Sequence, residues 1–458
     1  MKGHNAWSYH PYRPFLTDVG DIYVCRIAPG KESIHLEWLP CGTGKYSVFC
    51  HARGEDAFVK VGDTLDCVWD ITGLNEQADY EFYVSAGEKK SRVRLARTGE
   101  VTGTVVNYLH PEDEAYAFSG RYLCSPSLLR HPDGYLLASM DVYAAGHPQN
   151  LTIILRSDDE GATWHYVSEL MPCFWGKLFL HRGELYMLGC STEYGDLLIG
   201  KSSDGGKTFS TPVTLLRGSN GKKGNCGVHK NPQPLLNFDG RLYGTLEWGA
   251  WANKEYCHAA MVMSCDENAD LLDPESWHFT PPVRFDRFAP ELEDMPLCTM
   301  TIEGTMVASP DGRLLNVMRF AKYGKALVYE VNTTDPDAPL CYSHLMDFSA
   351  NLSKFTIKYD AESGCWWTIA CRLYDREKSG ARNLLSLMRS RDMKTWEVVS
   401  DLIDRREMDH TKVGFQYVDF LIEGNDMIFL CRTAWNGAND YHDSNYSTFH
   451  RIPAFRDL

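Results

Sequence analysis

Apolar and polar positions alternate along most of this chain in short runs bounded by Gly, Pro, Asn and Asp, the period of half-buried strands rather than of helices. Within 18–99 the runs 23–27, 33–39, 46–51 and 80–86 predict a small β-sandwich. From residue 100 onward the pattern repeats itself. Ser157-Asp158-Asp159-Glu160-Gly161-Ala162-Thr163-Trp164 and Ser202-Ser203-Asp204-Gly205-Gly206-Lys207-Thr208-Phe209 share the form S-x-D-x-G-x-T-[W/F]. Ser390-Arg391-Asp392-Met393-Lys394-Thr395-Trp396 is one residue shorter, and Ser264 and Asp266 lead through a longer loop to Trp277. The three clear copies each follow an apolar run (153–156, 197–200, 384–388). In such a unit the Asp and Ser/Thr oxygens satisfy backbone donors of a tight turn, Gly takes a conformation closed to other residues, and the aromatic fills the space between sheets. The expected role is structural. The repeat predicts a β-propeller, with units near 126–169, 177–213, 232–280, 300–346, 354–401 and 416–458 and with 102–108 available to close the ring. Six units are counted; the length of the segment also accommodates seven.

At 458 residues the chain exceeds one ordinary core. The pattern divides it into an N-terminal extension (1–17), the sandwich (18–99) and the propeller (100–458). Lys+Arg 46 against Asp+Glu 61 gives −15, a balance that argues against a phosphate-neutralising nucleic-acid binder. The 24 Tyr, 20 Phe and 12 Trp suit a strand-rich protein that stacks on sugars. The fifteen cysteines show no CxxC spacing and no run reaches membrane-spanning length, so a cytoplasmic protein without a membrane partner is expected. No residue set points to a metal or other cofactor, and oligomeric state is left open.

Trp38 in the second run, with Leu74 six residues before Tyr80, resembles the fibronectin type III pattern, which implies a positioning or partner-binding module. The repeated units resemble the Asp-box of sialidases and related sugar-cleaving propellers. Cys226-Gly227-Val228-His229-Lys230-Asn231-Pro232-Gln233-Pro234, 240–247, Ile302-Glu303-Gly304, 353–357, Arg382-Asn383-Leu384, 414–419, Arg432-Thr433-Ala434 and 442–451 are similar to the propeller polysaccharide lyases acting on ulvan and rhamnose–glucuronate linkages. That resemblance implies seven blades and elimination across a uronate by a His/Tyr/Arg set. Four positions depart from it: Val228 stands for the Tyr, Gly244 for the Arg, Met140 for one His and Glu160 for another. Sialidases bind the substrate carboxylate through a first-blade Arg-Ile-Pro; here 123–126 has no Arg in register, although Arg121 is close.

The expected catalytic residues are His229, Glu247, Glu303, Tyr243 and Asp141. His229 enters an innermost strand, Glu247 ends the next beside Trp248 and Trp251, and Glu303 opens the first strand of its blade. Two carboxylates across a pocket can be driven apart into an acid and a base. Substrate-binding positions are expected at Arg121, Lys230, Asn231, Trp248, Arg319, Lys354, Arg372 and Tyr417, with Arg382 and Arg432 read as pairing with neighbouring blades. Cations gathered in a protein of this net charge favour an acidic sugar. The expected activity is exo-acting hydrolysis of a glycosidic bond in an acidic, uronate-type oligosaccharide, with Glu247 and Glu303 as acid and base and His229 assisting. Alternatives are a lyase with His229 as base and Tyr243 as acid, and a non-catalytic glycan-binding propeller.

Overall fold

The computed structural model describes residue 7 and residues 20–42, 44–297, 299–378 and 380–458. The expected extension, 1–17, lies outside the described residues except for Trp7. Two antiparallel sheets form the N-terminal unit. One pairs Val24–Pro29, Ser33–Trp38 and Val68–Thr72; the other is built on Tyr46–Ala52 and Asp79–Ala86 and carries Val59–Thr64 and Arg94–Arg97. Trp38, Val48, Phe82 and Val84 are buried between them. The strands missed in the sequence, 59–64 and 68–72, have burial that does not alternate cleanly, because most of their side chains face solvent. Tyr80 accepts the Asn75 N–H at 2.8 Å through its hydroxyl, which ties the loop after Leu74 to the sheet. Tyr80→Phe leaves that N–H unpaired and is expected to lower stability by about 1–2 kcal/mol, read from urea unfolding midpoints.

The rest of the chain is a β-propeller. Six antiparallel sheets follow one another: 122–170, 174–216, 227–279, 301–347, 357–404 and 414–452. They are called blades 1 to 6 here. The third carries a fifth strand, and blade 6 is completed by Thr104–Tyr108, which pairs with Tyr446–Ile452, so the two ends of the ring are sewn into one sheet. The Asp-boxes behave as turn devices. Asp159 accepts the Thr163 N–H at 2.8 Å and Ser157 Oγ accepts the Gly161 N–H at 2.8 Å. Gly161 has φ +89°, and a Cβ there would lie 2.1 Å from the Phe449 ring. Trp164 then packs on Phe449, joining blade 1 to blade 6. Glu37 fastens the sandwich to blade 1: it pairs with Arg26 at 2.9 Å and accepts the Tyr166 N–H at 3.0 Å.

Candidate active site

The innermost strands of four blades share one irregularity. The register with the second strand slips between Cys124 and Ser127, Phe174 and Lys177, Ile302 and Thr305, and Gln416 and Asp419. At each slip one residue adopts a left-handed backbone: Ser125 (φ 51°), Trp175 (52°), Glu303 (57°) and Tyr417 (57°). A non-glycine residue there costs about 1–2 kcal/mol, and a bulge of this kind re-aims its side chain. All four slips fall near the same end of their blades, where the connections between second and third strands also gather. Those connections bring in Glu193, Tyr194, Trp251, His258 and His442, beside Tyr143 at the end of a second strand.

Two of the re-aimed residues hold each other. The Tyr417 hydroxyl donates to Glu303 Oε1, and Arg319 Nη1 donates to Glu303 Oε2 at 2.7 Å. The same Arg319 nitrogen lies 3.4 Å from the Tyr417 oxygen. Burial alone would raise the Glu303 carboxyl, but Arg319, the Tyr417 hydrogen bond and nearby His229 outweigh it and hold Glu303 below its ordinary value. Burial pushes the Tyr417 phenol up to about 12, with the Glu303 charge adding to it.

Glu247 is the second carboxylate. It lies in the Arg241–Gly249 strand of blade 3, opposite His229 in register, and its Oε2 is 2.5 Å from His229 Nδ1. Its Oε1 accepts the Gly304 N–H at 3.4 Å, the residue immediately after Glu303. Glycine is required there, since a Cβ would come within 2.2 Å of Asn316 Oδ1. Burial raises the Glu247 carboxyl, and the Glu303 charge adds to that, against the His229 hydrogen bond. Trp175 lies tilted against His229 at 4.2 Å between centroids, and His258 meets it edge-on at 4.9 Å. His258 is held by the Tyr194 hydroxyl at 3.1 Å, and burial keeps it well below its ordinary value.

Two further guanidiniums flank Tyr417: Arg382 at 5.8 Å and Arg432 at 5.1 Å from its ring centroid. Arg382 donates to Gln416 Oε1 and Arg432 to the His442 carbonyl at 2.5 Å, both neutral acceptors. The buried Nε of each has no hydrogen-bond partner among the described residues. On the rim, Trp251 is 55% exposed and donates to Glu193 at 3.3 Å. Burial raises the Glu193 carboxyl. Asp440, His442 and Asp443 place three potential ligand atoms within 4.8 Å, but Arg432 Nη2 lies 3.3 Å from His442 Nδ1, so a cation already occupies that approach.

The structure therefore brings together His229, Glu247, Glu303, Arg319 and Tyr417, and it places other expected residues elsewhere. Tyr243 is buried between blades 3 and 4 among Ala260, Phe285 and Met306, toward the far end of the strand from Glu247, so it is not positioned as an acid for His229. Asp141 is fully buried; it accepts from Thr152 Oγ1 at 2.5 Å and from the Gly176 N–H at 3.4 Å, and burial pushes it up to about 7. Arg121 pairs with Glu114 at 3.2 Å, and Arg372 pairs with both Asp401 oxygens at 2.7 Å across blade 5. Lys230, Asn231 and Lys354 are buried below the mouth, along the axis, and Trp248 packs on the core shared by blades 2 and 3. Arg382, read from sequence as a blade-pairing residue, does bond Gln416 of the next blade, whereas Arg432 bonds His442 within its own blade; both also face Tyr417. Trp175, Glu193, Tyr194 and His258 were not singled out in the sequence; the aromatic at the ordinal position of Glu303 and Tyr417 was the available signal for Trp175.

The fold is a β-propeller similar to those of solved sugar-cleaving enzymes. The chain is similar over 94% of its length, and over 94% of the other, to a Hadza microbial sialidase at 13% identity and TM-score 0.52. It is similar to a leech intramolecular trans-sialidase at 10% identity and TM-score 0.50, covering 95% of each chain. An α-L-arabinofuranosidase of Fusarium graminearum, solved with an iminosugar inhibitor, matches 76% of this chain and 97% of its own at 14% identity and TM-score 0.51. At these identities the likeness is one of fold. No protein-family model and no curated protein matches the sequence.

Proposed function

We propose that this chain is a glycoside hydrolase acting on an anionic oligosaccharide. One observation carries the reading: Glu247 and Glu303 stand on adjacent blades in environments that drive their protonation in opposite directions. Glu303, ionised beside Arg319, attacks or activates water at the anomeric carbon. The Glu247–His229 pair holds the proton that passes to the leaving oxygen as the C–O bond breaks. Three similar folds are named for sugar-cleaving enzymes, which agrees with this chemistry. The departures at Val228, Gly244 and Met140 argue against the elimination set.

The anionic substrate is inferred from Arg382 and Arg432, whose guanidiniums face Tyr417 with no carboxylate partner among the described residues. A substrate carboxylate would supply the missing acceptor. Removing one charged hydrogen bond costs about 1.5–3 kcal/mol, so Arg432→Gln is expected to lower kcat/KM on uronate or sialate glycosides roughly ten- to hundredfold and to leave neutral glycosides nearly unchanged. Equal losses on both would remove the argument for an acidic sugar.

A second reading rests on the Tyr417–Glu303 hydrogen bond: the phenol oxygen of Tyr417 attacks carbon as Glu303 takes its proton and the bond to the leaving oxygen breaks. A slow-turnover fluorinated analogue of the best substrate separates the two. Peptide mapping after trapping places the sugar on Tyr417 in the second reading; in the first it lies on Glu303 if Glu303 attacks and on no residue if Glu303 activates water.

A further inference from the structure

The opposite end of the propeller axis is also open, and its walls differ in kind from those of the catalytic mouth. A cavity of about 400 Å³ lies there, lined by the innermost strands of five blades. Leu128, Leu178, Leu235 and Leu421 form apolar walls, and Lys177 and Lys358 face into it. Above it the axis is rich in ammonium groups. Lys177 pairs with Asp419, Lys358 donates to the Phe420 carbonyl and Lys354 to the Val418 carbonyl at 3.2 Å. Asp419 faces all three lysines, and its Oδ1 is buried without a hydrogen-bond partner. Asp419 thus serves all three cations, and Glu303 also acts on Lys354. An ammonium carries three N–H donors, and among the described residues Lys354 and Lys358 each donate to one acceptor, a carbonyl. Burial depresses Lys354 to about 7 and Lys358 to about 8, against the opposing charge of Asp419.

We propose that this lower mouth binds a small organic carboxylate, its charged end on Lys358 and Lys177 and its apolar body on the leucine walls. The site is separate from the catalytic mouth and independent of the function assigned above. Bare oxyanions would leave the leucines wet, and an uncharged apolar molecule would leave the lysines uncompensated; the cavity offers both surfaces to one ligand.

Sodium benzoate, benzyl alcohol and inorganic phosphate are suitable probes on the full-length protein, read by calorimetric titration and by melting temperature. Saturable benzoate binding is expected, weakened at least tenfold in Lys358→Gln, with benzyl alcohol and phosphate each binding at least tenfold more weakly than benzoate. Arg182→Glu, on an exposed turn that lines the same cavity, tests the site without disturbing the axis and is expected to weaken benzoate as well. Arg319→Gln, at the other mouth, should leave the titration unchanged. Absence of saturable benzoate binding, equal binding of benzyl alcohol or phosphate, or loss of binding in Arg319→Gln rather than in the lower-mouth variants would overturn the proposal.

Discussion

Glu303→Gln is expected to abolish turnover, lowering kcat by about a thousandfold or more while the protein stays folded. The substitution keeps the shape of the side chain and removes only its charge. Glu303 is nearly inaccessible, it sits at a left-handed backbone position, and Tyr417 and Arg319 both donate to it. Such convergence on one carboxylate is needed to keep it ionised in a buried place. The amide cannot attack carbon or accept a proton, and its NH₂ would oppose the Arg319 donors. The pH profile makes the assignment sharper. Glu303 must be ionised, so activity falls as pH drops through its lowered value. Glu247 must hold a proton, so activity also falls as pH rises through its raised value. In Glu247→Gln the alkaline limb should disappear together with most of the rate. If both variants kept wild-type turnover, the assignment of these carboxylates would be wrong.

Asp419→Asn is expected to destabilise the propeller by about 3–5 kcal/mol, the scale for removing one member of a buried ion pair. Asp419 is fully buried, pairs with Lys177 and accepts the Leu128 N–H at 2.7 Å, so it joins blades 1, 2 and 6. The asparagine keeps an acceptor for Leu128 but leaves the Lys177 ammonium without a counter-charge. Its effect should depend on pH in a defined direction. Lys230, Lys354 and Lys358 have folded values near 8, 7 and 8, all lowered by burial, against about 10.4 in the unfolded chain. Between about pH 7 and 10 the unfolded state binds more protons, so these groups make stability rise with pH. Without Asp419 the nearby lysines lose an attractive charge and shed protons still earlier. The deficit of the variant should therefore be larger at pH 6 than at pH 9. Urea unfolding at both pH values measures it, and a deficit that grew with pH would contradict this account of the axis.

Much of the architecture was legible because it rests on short-range rules. The Asp-box turns follow from Asp159 and Ser157 satisfying local donors, and each box marks a strand pair. Strand 104–108 was readable as the closing strand because it stands alone before the first unit. The edge strands of the sandwich were not, since their solvent-facing side chains carry no clean alternation. His229, Glu247 and Glu303 could be named from sequence because a carboxylate or imidazole flanked by strand residues and glycine is conspicuous. What could not be read was depth. Lys230 and Lys354 look like pocket cations in the sequence, and only the third dimension shows them below the mouth, holding backbone carbonyls. Tyr243 fails for a similar reason: four residues separate it from Glu247 on one strand, which carries it toward the other end of the blade. The bulges were hidden as well. A one-residue register slip leaves no mark of its own, yet it decides that Glu303 and Tyr417 meet.

The central claim, hydrolysis rather than elimination or binding alone, is tested most directly by running the reaction on uronate and sialate oligosaccharides in ¹⁸O-water with mass and ultraviolet detection of products. Hydrolysis puts one ¹⁸O into the products at the cleaved bond and produces no new near-ultraviolet absorbance, and that is the expected result. A product without ¹⁸O that absorbs as an unsaturated uronate, or binding of every sugar with cleavage of none, would contradict it.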